Sequence, residues 1–228
     1  MGKARWIIFA AVVVLVLGGL IVYSRLSNPS TDVSNVNQNS IQTASDQNGN
    51  IGDHVFNNTK SDVVLVEYGD FQCPGCGAAH PNVKELLGEY GDDISFVFRN
   101  FPLTNIHPNA RAAASAAEAA GLQGKYWEMH DLLFETQTTW QGQNPTERTD
   151  TFKDYAEQLN LDMTRFDSDF ASQSVSQKIN FDVAVGKKAN VDSTPTFFLN
   201  GEKISEAAAT GLLRGDLTEI KKLLDEKL

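Results

Sequence analysis

Val63-Val64-Leu65-Val66-Glu67-Tyr68-Gly69-Asp70-Phe71-Gln72-Cys73-Pro74-Gly75-Cys76 is the stretch whose reading decides the fold. Its first six residues are apolar or β-branched at nearly every position, as in a strand covered on both faces, which predicts a central strand. Gly69 to Gln72 supply a turn, and Pro74 stands at the first helical position, which proline tolerates well. The chain holds two cysteines, and both are here, two residues apart at the start of a helix. Such a pair can close a small reducible ring, while the unpaired N–H groups and positive end of the helix favour thiolate at the first sulfur. Thiolates so placed have pKa values of roughly 3.5–7.5 against about 8.5 for a free thiol. Cys73 therefore reads as a nucleophile, Cys76 as its resolving partner, and thiol–disulfide exchange as the chemistry.

Plainer readings compete. A purely structural disulfide contributes less as its loop shortens. Zinc ligation by Cys73, Cys76 and His80 has plausible local spacing, but no second Cys or His pair follows to complete four ligands, so no metal is expected. Haem attachment needs His directly after the second cysteine, where Gly77 stands. Glu67 is the one acid in the strand. Partial desolvation would raise its pKa and suit it to relay a proton to or from Cys76, the alternative being a wet carboxylate near the strand end.

Downstream, Ala79, Val83, Leu86, Leu87 and Tyr90 form a helical apolar stripe interrupted by Pro81, where a kink is expected. Ile94 to Phe98 alternates and reads as a second strand, parallel to the first through a right-handed crossover. Helices are expected over Asn109–Glu118, Lys125–Glu135, around Phe152–Leu159, over Met163–Ala171 and over Val175–Asn190. Trp127 and His130 read as packing residues, and Thr138–Thr149 reads as a loop broken by Gly142 and Pro145. Thr196–Leu199 is a strand, Asn200-Gly201 a hairpin turn, and Asp216 with Glu219 a capping-box-like start to the last helix.

The formal net charge of −10 understates the acidity of the later chain, because Lys3, Arg5 and Arg25 all precede the first acid, Asp32. Such a balance argues against nucleic acid as a partner, since phosphate binding draws on clustered Lys and Arg. Trp6 to Tyr23 is uncharged and reaches the lower length limit for a spanning helix. With Lys3 and Arg5 on the cytoplasmic side, the rest of the chain would be exported. A cleaved signal peptide, cut after Ser24 with Val22 as the other small-residue position, is the alternative. Residues 1–26 are thus read as a cytoplasmic stub and signal-anchor, 27–52 as a flexible polar tether, and 53–228 as the catalytic domain.

The run from Val66 to Cys76, with Pro81 five places beyond the second cysteine, resembles the thioredoxin superfamily, and specifically its DsbA-like branch. Arg99-Asn100-Phe101-Pro102-Leu103, His107-Pro108-Asn109-Ala110, Tyr126 to Phe134 and Ser193 to Gly201 add to the likeness, which covers about Asp53 to Leu228. The resemblance implies an α/β thioredoxin-like fold with a helical subdomain inserted at about 104–190. It implies a cis Pro195 packed against the cysteine pair and a Thr194 backbone that pairs with bound peptide. Pro74 and Gly75 are expected to touch substrate, and the residue matching Glu67 is a buried acid. No cofactor is implied beyond the Cys73–Cys76 disulfide. Implied partners are exported cysteine-containing proteins and a quinone-linked membrane enzyme, DsbB-like or vitamin K epoxide reductase-like. Strong oxidases of this branch often carry His where Gly75 stands, so a less oxidising couple is expected. A reductase or isomerase in the same compartment, or a non-enzymatic peptide- or metal-binding module, remain the alternatives.

Overall fold

The computed structural model describes Trp6 and residues 11–19, 31–57 and 60–228. The chain divides between Asp32 and Val33 into two units. In the first, residues 11–19 are helical and exposed. Among the described residues no helix is long and apolar enough to cross a membrane. Lys3, Arg5, Val22, Ser24, much of the expected 6–23 span and residues 27–30 lie outside the described residues.

The second unit is built on a five-stranded sheet among the described residues, in the order β1-β3-β2-β4-β5. These strands are β1 (Val55–Asn57), β2 (Val64–Gly69), β3 (Ser95–Asn100), β4 (Thr196–Leu199) and β5 (Glu202–Lys203). β2 is central, as its apolar run predicts. It pairs in parallel with β3, from Val64 opposite Ser95 to Gly69 opposite Asn100, and antiparallel with β4, from Leu65 opposite Leu199 to Tyr68 opposite Thr196. Helix α1 (Pro74–Tyr90) makes the crossover and continues through Pro81. Because side chains alternate along a strand, β2 feeds two cores. Leu65 packs with Cys76, Phe96 and Phe98 on one face, and Val66 and Tyr68 pack with Phe101 and Phe181 on the other. Asn200 and Gly201, with φ of 49° and 82°, close the β4–β5 hairpin, the left-handed pair such turns require.

Between β3 and β4 lies the helical insertion: α2 (Ala110–Gly121), α3 (Tyr126–Glu135), the short α4 (Gln137–Trp140), α5 (Pro145–Gln158), α6 (Met163–Phe170) and α7 (Gln173–Lys188). The loop expected over 138–149 is corrected at both ends. Asn144 Oδ1 accepts from the N–H groups of Thr146 and Glu147 at 3.0 and 3.1 Å, and Glu147 reaches back to the Asn144 N–H. This capping box makes Pro145 the first residue of a helix and not a breaker. At the C-terminus α8 (Glu206–Arg214) starts on a Ser205 cap and α9 (Thr218–Asp225) follows. Asp216 accepts from Thr218 N at 3.1 Å while Leu217 holds the cap position, so the expected Asp216–Glu219 box does not form.

Residues 33–52, expected as a flexible tether, are also corrected: they form a strap lying on the domain. Val36, Asn48 and Ile51 are buried. The Arg99 guanidinium donates to the carbonyls of Gln38 and Ser40 at 2.8 and 2.7 Å. Lys188 Nζ donates to those of Val33, Ser34 and Val36 at 3.0, 2.7 and 2.8 Å. The strap is fastened through backbone carbonyls, which every sequence carries, so its polar composition gives no sign of it.

Asp53 ends the strap and is fully buried, 2.8 Å from Arg99 and 3.1 Å from Lys178. Burial opposes its charge, but those two cations outweigh it and hold its carboxyl at about 2. Asp53→Ala leaves both cations short of a buried partner and is expected to cost about 3–5 kcal/mol, measured by urea unfolding at neutral pH.

Candidate active site

β2 ends in the turn Asp70-Phe71-Gln72, which delivers Cys73 to the cap position of α1 in extended conformation (φ −70°, ψ 123°). Its carbonyl accepts from Gly77 N at 3.1 Å, and its sulfur lies 3.3 Å from the Thr194 carbonyl oxygen. Both cysteines are free thiols here. Cys73 is 8% exposed and Cys76 1%, so only the first can meet a partner. Asp70 N donates to the Cys76 sulfur at 3.4 Å.

These surroundings drive the two thiols apart. A hydrogen bond from Cys76 and the N–H groups of Cys76 and Gly75 bring Cys73 down to about 5, against the opposing pull of burial. Burial, that same hydrogen bond and the neighbouring Glu67 push Cys76 well above the ordinary thiol range. One sulfur is an anion at neutral pH and the other keeps its proton, the division that nucleophile and resolving thiol need.

Glu67 faces this pair from β2 and is 3% exposed. Burial first, and then the charge on Cys73, raise its carboxyl to about 8, with a hydrogen bond to Cys76 pulling the other way. Its Oε1 has no hydrogen-bond partner among the described residues. The Thr194–Pro195 peptide is cis. A Cβ built on Gly75 would lie 3.2 Å from Pro195 Cδ and 3.6 Å from Cys73 Sγ, so the proline corner closes directly on the motif. Pro74 is exposed, and Gly75, Thr194 and Pro195 are half-buried. The structure thus brings Cys73, Cys76, Glu67, Gly75, Thr194 and Pro195 together, with Pro74 on the open side.

Several positioning residues were invisible to sequence reasoning. Gln137, from α4, donates its amide to the carbonyls of Phe71 and Cys73 at 2.7 and 3.0 Å. A Cβ on Gly77 would come within 2.7 Å of Gln137 Oε1, and that glycine beside the second cysteine was the only trace of it. Asp70 is buried, accepting from Gln72 N and Leu103 N at 2.8 Å each and meeting His107 Nδ1 at 2.7 Å. Gln72 in turn accepts from Asn109 N at 2.6 Å and donates to Gln141 O at 2.8 Å. The turn before Cys73 is therefore fixed from the helical insertion. Among the described residues the one group that could hold a metal ion is His80, His130 and Asp131, to which neither cysteine contributes.

Comparison with known proteins follows this geometry. The family described as thioredoxin matches residues 49–215. Oxidised BdbD from Bacillus subtilis is 22% identical with a TM-score of 0.61, covering 82% of this chain and 96% of that one. The thiol-disulfide exchange protein alpha-DsbA2 from Wolbachia pipientis is 21% identical with a TM-score of 0.63, covering 76% and 86%. MdbA, a thiol-disulfide oxidoreductase from Corynebacterium diphtheriae, is 18% identical with a TM-score of 0.60, covering 81% and 98%. These likenesses are of fold. By sequence, Na(+)/H(+) antiporter NhaA 1 from Salinispora arenicola is 46% identical over 151 residues, which are 66% of this chain and 22% of that protein. NhaA 3 from Salinispora tropica is 44% identical over the same shares. The chain spans about a fifth of the length of these curated relatives.

In the reduced protein, iodoacetamide labelling of Cys73 is expected to titrate with a midpoint near about 5 while Cys76 stays unlabelled; a midpoint at the free-thiol value of about 8.5 would contradict the geometry. For Glu67 the sign is opposite to that of a salt-bridged acid. Its folded pKa is raised, so its contribution to stability is fully present below its ordinary value of 4.5 and is lost as pH climbs to about 8. Glu67→Gln should therefore gain on the wild type by a few kcal/mol between those limits, read by urea unfolding of the reduced forms at pH 5 and pH 8.

Proposed function

The chain belongs to the thioredoxin family, and from that premise we propose that it is an extracytoplasmic thiol:disulfide oxidoreductase that forms disulfides in exported proteins. The observation that carries the reading is Cys73, a low-pKa sulfur at the start of α1, held against the Thr194 carbonyl beside cis Pro195. In the oxidised enzyme a substrate thiolate attacks the Cys73 sulfur, the Cys73–Cys76 bond breaks, and Cys76 leaves as a thiolate. Cys76 then takes a proton readily, because its buried site disfavours the anion. Glu67, protonated at neutral pH and hydrogen-bonded to Cys76, is placed to supply that proton. A second substrate thiolate attacks the substrate sulfur of the mixed disulfide and releases Cys73 as a thiolate. The substrate has lost two electrons, and the enzyme dithiol holds them.

Reoxidation falls to a membrane quinone-linked partner, DsbB-like or vitamin K epoxide reductase-like, because this chain has no further cysteine. Thr194, Pro74 and Gly75 flank the sulfur on its accessible side and are assigned to substrate contact, with Pro195 shaping the site. The uncharged run from Trp6 to Tyr23, preceded by Lys3 and Arg5, supports a single-pass anchor that leaves the domain outside the cytoplasm. The antiporter activity named for the sequence relatives is not proposed for this chain, which matches about a fifth of their length.

Gly75 favours a second reading, the reductase or isomerase direction. Without an imidazole at that position the thiolate has only the helix terminus and Cys76 to stabilise it, which leaves the reduced form less favoured than in the strongest oxidants.

Redox equilibration with glutathione is expected to give a potential between about −120 mV and about −270 mV, the values of a strong oxidant and of a dedicated reductant. Oxidative refolding of a reduced substrate should fall to the uncatalysed rate in Cys73→Ser, and Cys76→Ala should accumulate mixed disulfides. Full refolding activity in Cys73→Ser would end the proposal.

A further inference from the structure

α1 and α3 share a cavity of about 410 Å3, walled by His80, Val83 and Lys84 from one helix and Trp127, His130 and Asp131 from the other. His80 and His130 are 8% and 4% exposed. The Nε2 atom of each ring is buried without a hydrogen-bond partner among the described residues. Buried polar atoms are ordinarily paired, and here two lie in one cavity wall. The rings meet edge to face, 5.4 Å between centroids with planes inclined at 62°, and neither Nε2 pairs with the other ring. Asp131 Oδ1 stands 3.7 Å from His80 Nε2 and 3.3 Å from His130 Nδ1. One nitrogen from each ring and one oxygen of Asp131 all lie within 4.8 Å of one another.

We propose that His80, His130 and Asp131 form a site for a divalent transition metal, zinc by donor type, which joins the helix bearing the cysteine pair to the helical insertion. Two imidazoles and a carboxylate suit zinc, and three protein ligands leave a fourth position open to the cavity. Zinc ligands sit about 2.0–2.2 Å from the ion, so the three atoms need to close by no more than roughly 1.5 Å. Lys84 holds Oδ2 of Asp131 at 2.6 Å while also meeting Glu135 at 3.0 Å, which turns Oδ1 to the two histidines. It thereby orients the ligating carboxylate, as partners of metal ligands commonly do. With neutral rings, one ammonium against two carboxylates leaves one negative charge for the ion to meet. His80 lies one turn beyond Cys76 on α1, so a bound ion pins the redox helix to α3 without using either thiol.

The test uses the full chain with Cys73 and Cys76 joined as a disulfide, so that neither can ligate. Zinc is added, the protein is gel-filtered, and retained metal is measured beside a calorimetric titration. One zinc per chain is expected, and cobalt should give visible bands of a nitrogen and oxygen site without thiolate charge transfer. His80→Gln and Asp131→Asn, each with unchanged circular dichroism, should weaken zinc at least about 10-fold, the lower end of what losing even an outer partner costs. Ring 15N shifts need no variant: among the four histidines, His80 and His130 should move on zinc addition while His54 and His107 stay put. No retained zinc, undiminished binding in either folded variant, or unmoved His80 and His130 signals would each overturn the site.

Discussion

The antiparallel pairing of β2 with β4 places the two halves of the site. Tyr68 sits opposite Thr196, so the residues just before β4, Thr194 and Pro195, run back beside the turn that follows β2. That turn ends in Cys73. The two chain segments, 121 positions apart in sequence, meet at a contact of 3.3 Å between a sulfur and a carbonyl oxygen. A one-residue slip in this register would turn β2's side chains to the opposite faces, removing Glu67 from the cysteines and Leu65 from the core. The placement of Cys73 is thus a property of the sheet as much as of the helix terminus.

A second constraint fixes the insertion against the sheet. Arg99 and Asn100 at the end of β3, Glu118 on α2, Lys178 and Asp182 on α7, and Asp53 and His54 from the strap form one buried polar network. Asn100 Nδ2 donates to Glu118 at 2.6 Å and to Asp182 at 3.1 Å, Lys178 meets Asp182 at 2.6 Å, and His54 meets Glu118 at 2.9 Å. Such networks add little net stability over an apolar core, because desolvation offsets much of the attraction. Each group has few partners to choose from, however, and so the network specifies one arrangement. Asn100 pairs with Gly69, next to Asp70, and the insertion also sends Gln137 and His107 to this turn. An insertion that floated would not hold the backbone before Cys73 in one conformation.

Much of this was legible because it is local. The strand and turn around Val63–Gln72 and the helix that follows are written in adjacent residues, and Glu67 stands out as the lone acid in an apolar run. What stayed hidden depends on distant partners. Gln137 looks like any surface amide until α4 brings it under Phe71 and Cys73. The strap of residues 33–52 has tether-like composition and is held by carbonyls given to Arg99 and Lys188. Pro145 taken alone is a breaker, but with Asn144 before it and Glu147 after it the same residues spell a helix start. At Asp216 spacing misleads in the opposite direction: the acid and Glu219 have capping-box spacing, but Asp216 accepts from Thr218 N in the turn before the helix.

Gly75 shows how one residue enters the chemistry by two routes. Sequence alone presents it as the loss of an imidazole that would stabilise the Cys73 anion. In space it is also a point of close approach, since any Cβ there would stand 3.2 Å from Pro195 Cδ and the proline ring would have to give by a few tenths of an ångström. Glycine lets the Thr194–Pro195 corner settle fully onto the motif, and that corner brings the Thr194 carbonyl to 3.3 Å from the Cys73 sulfur, where it accepts from the thiol. A carbonyl acceptor favours the thiol over the thiolate, so the close corner shapes the site without replacing the lost imidazole. A histidine installed at this position would bring its charge and at the same time press the corner away from the sulfur, so it would change the wall that meets substrate as well as the acidity of Cys73.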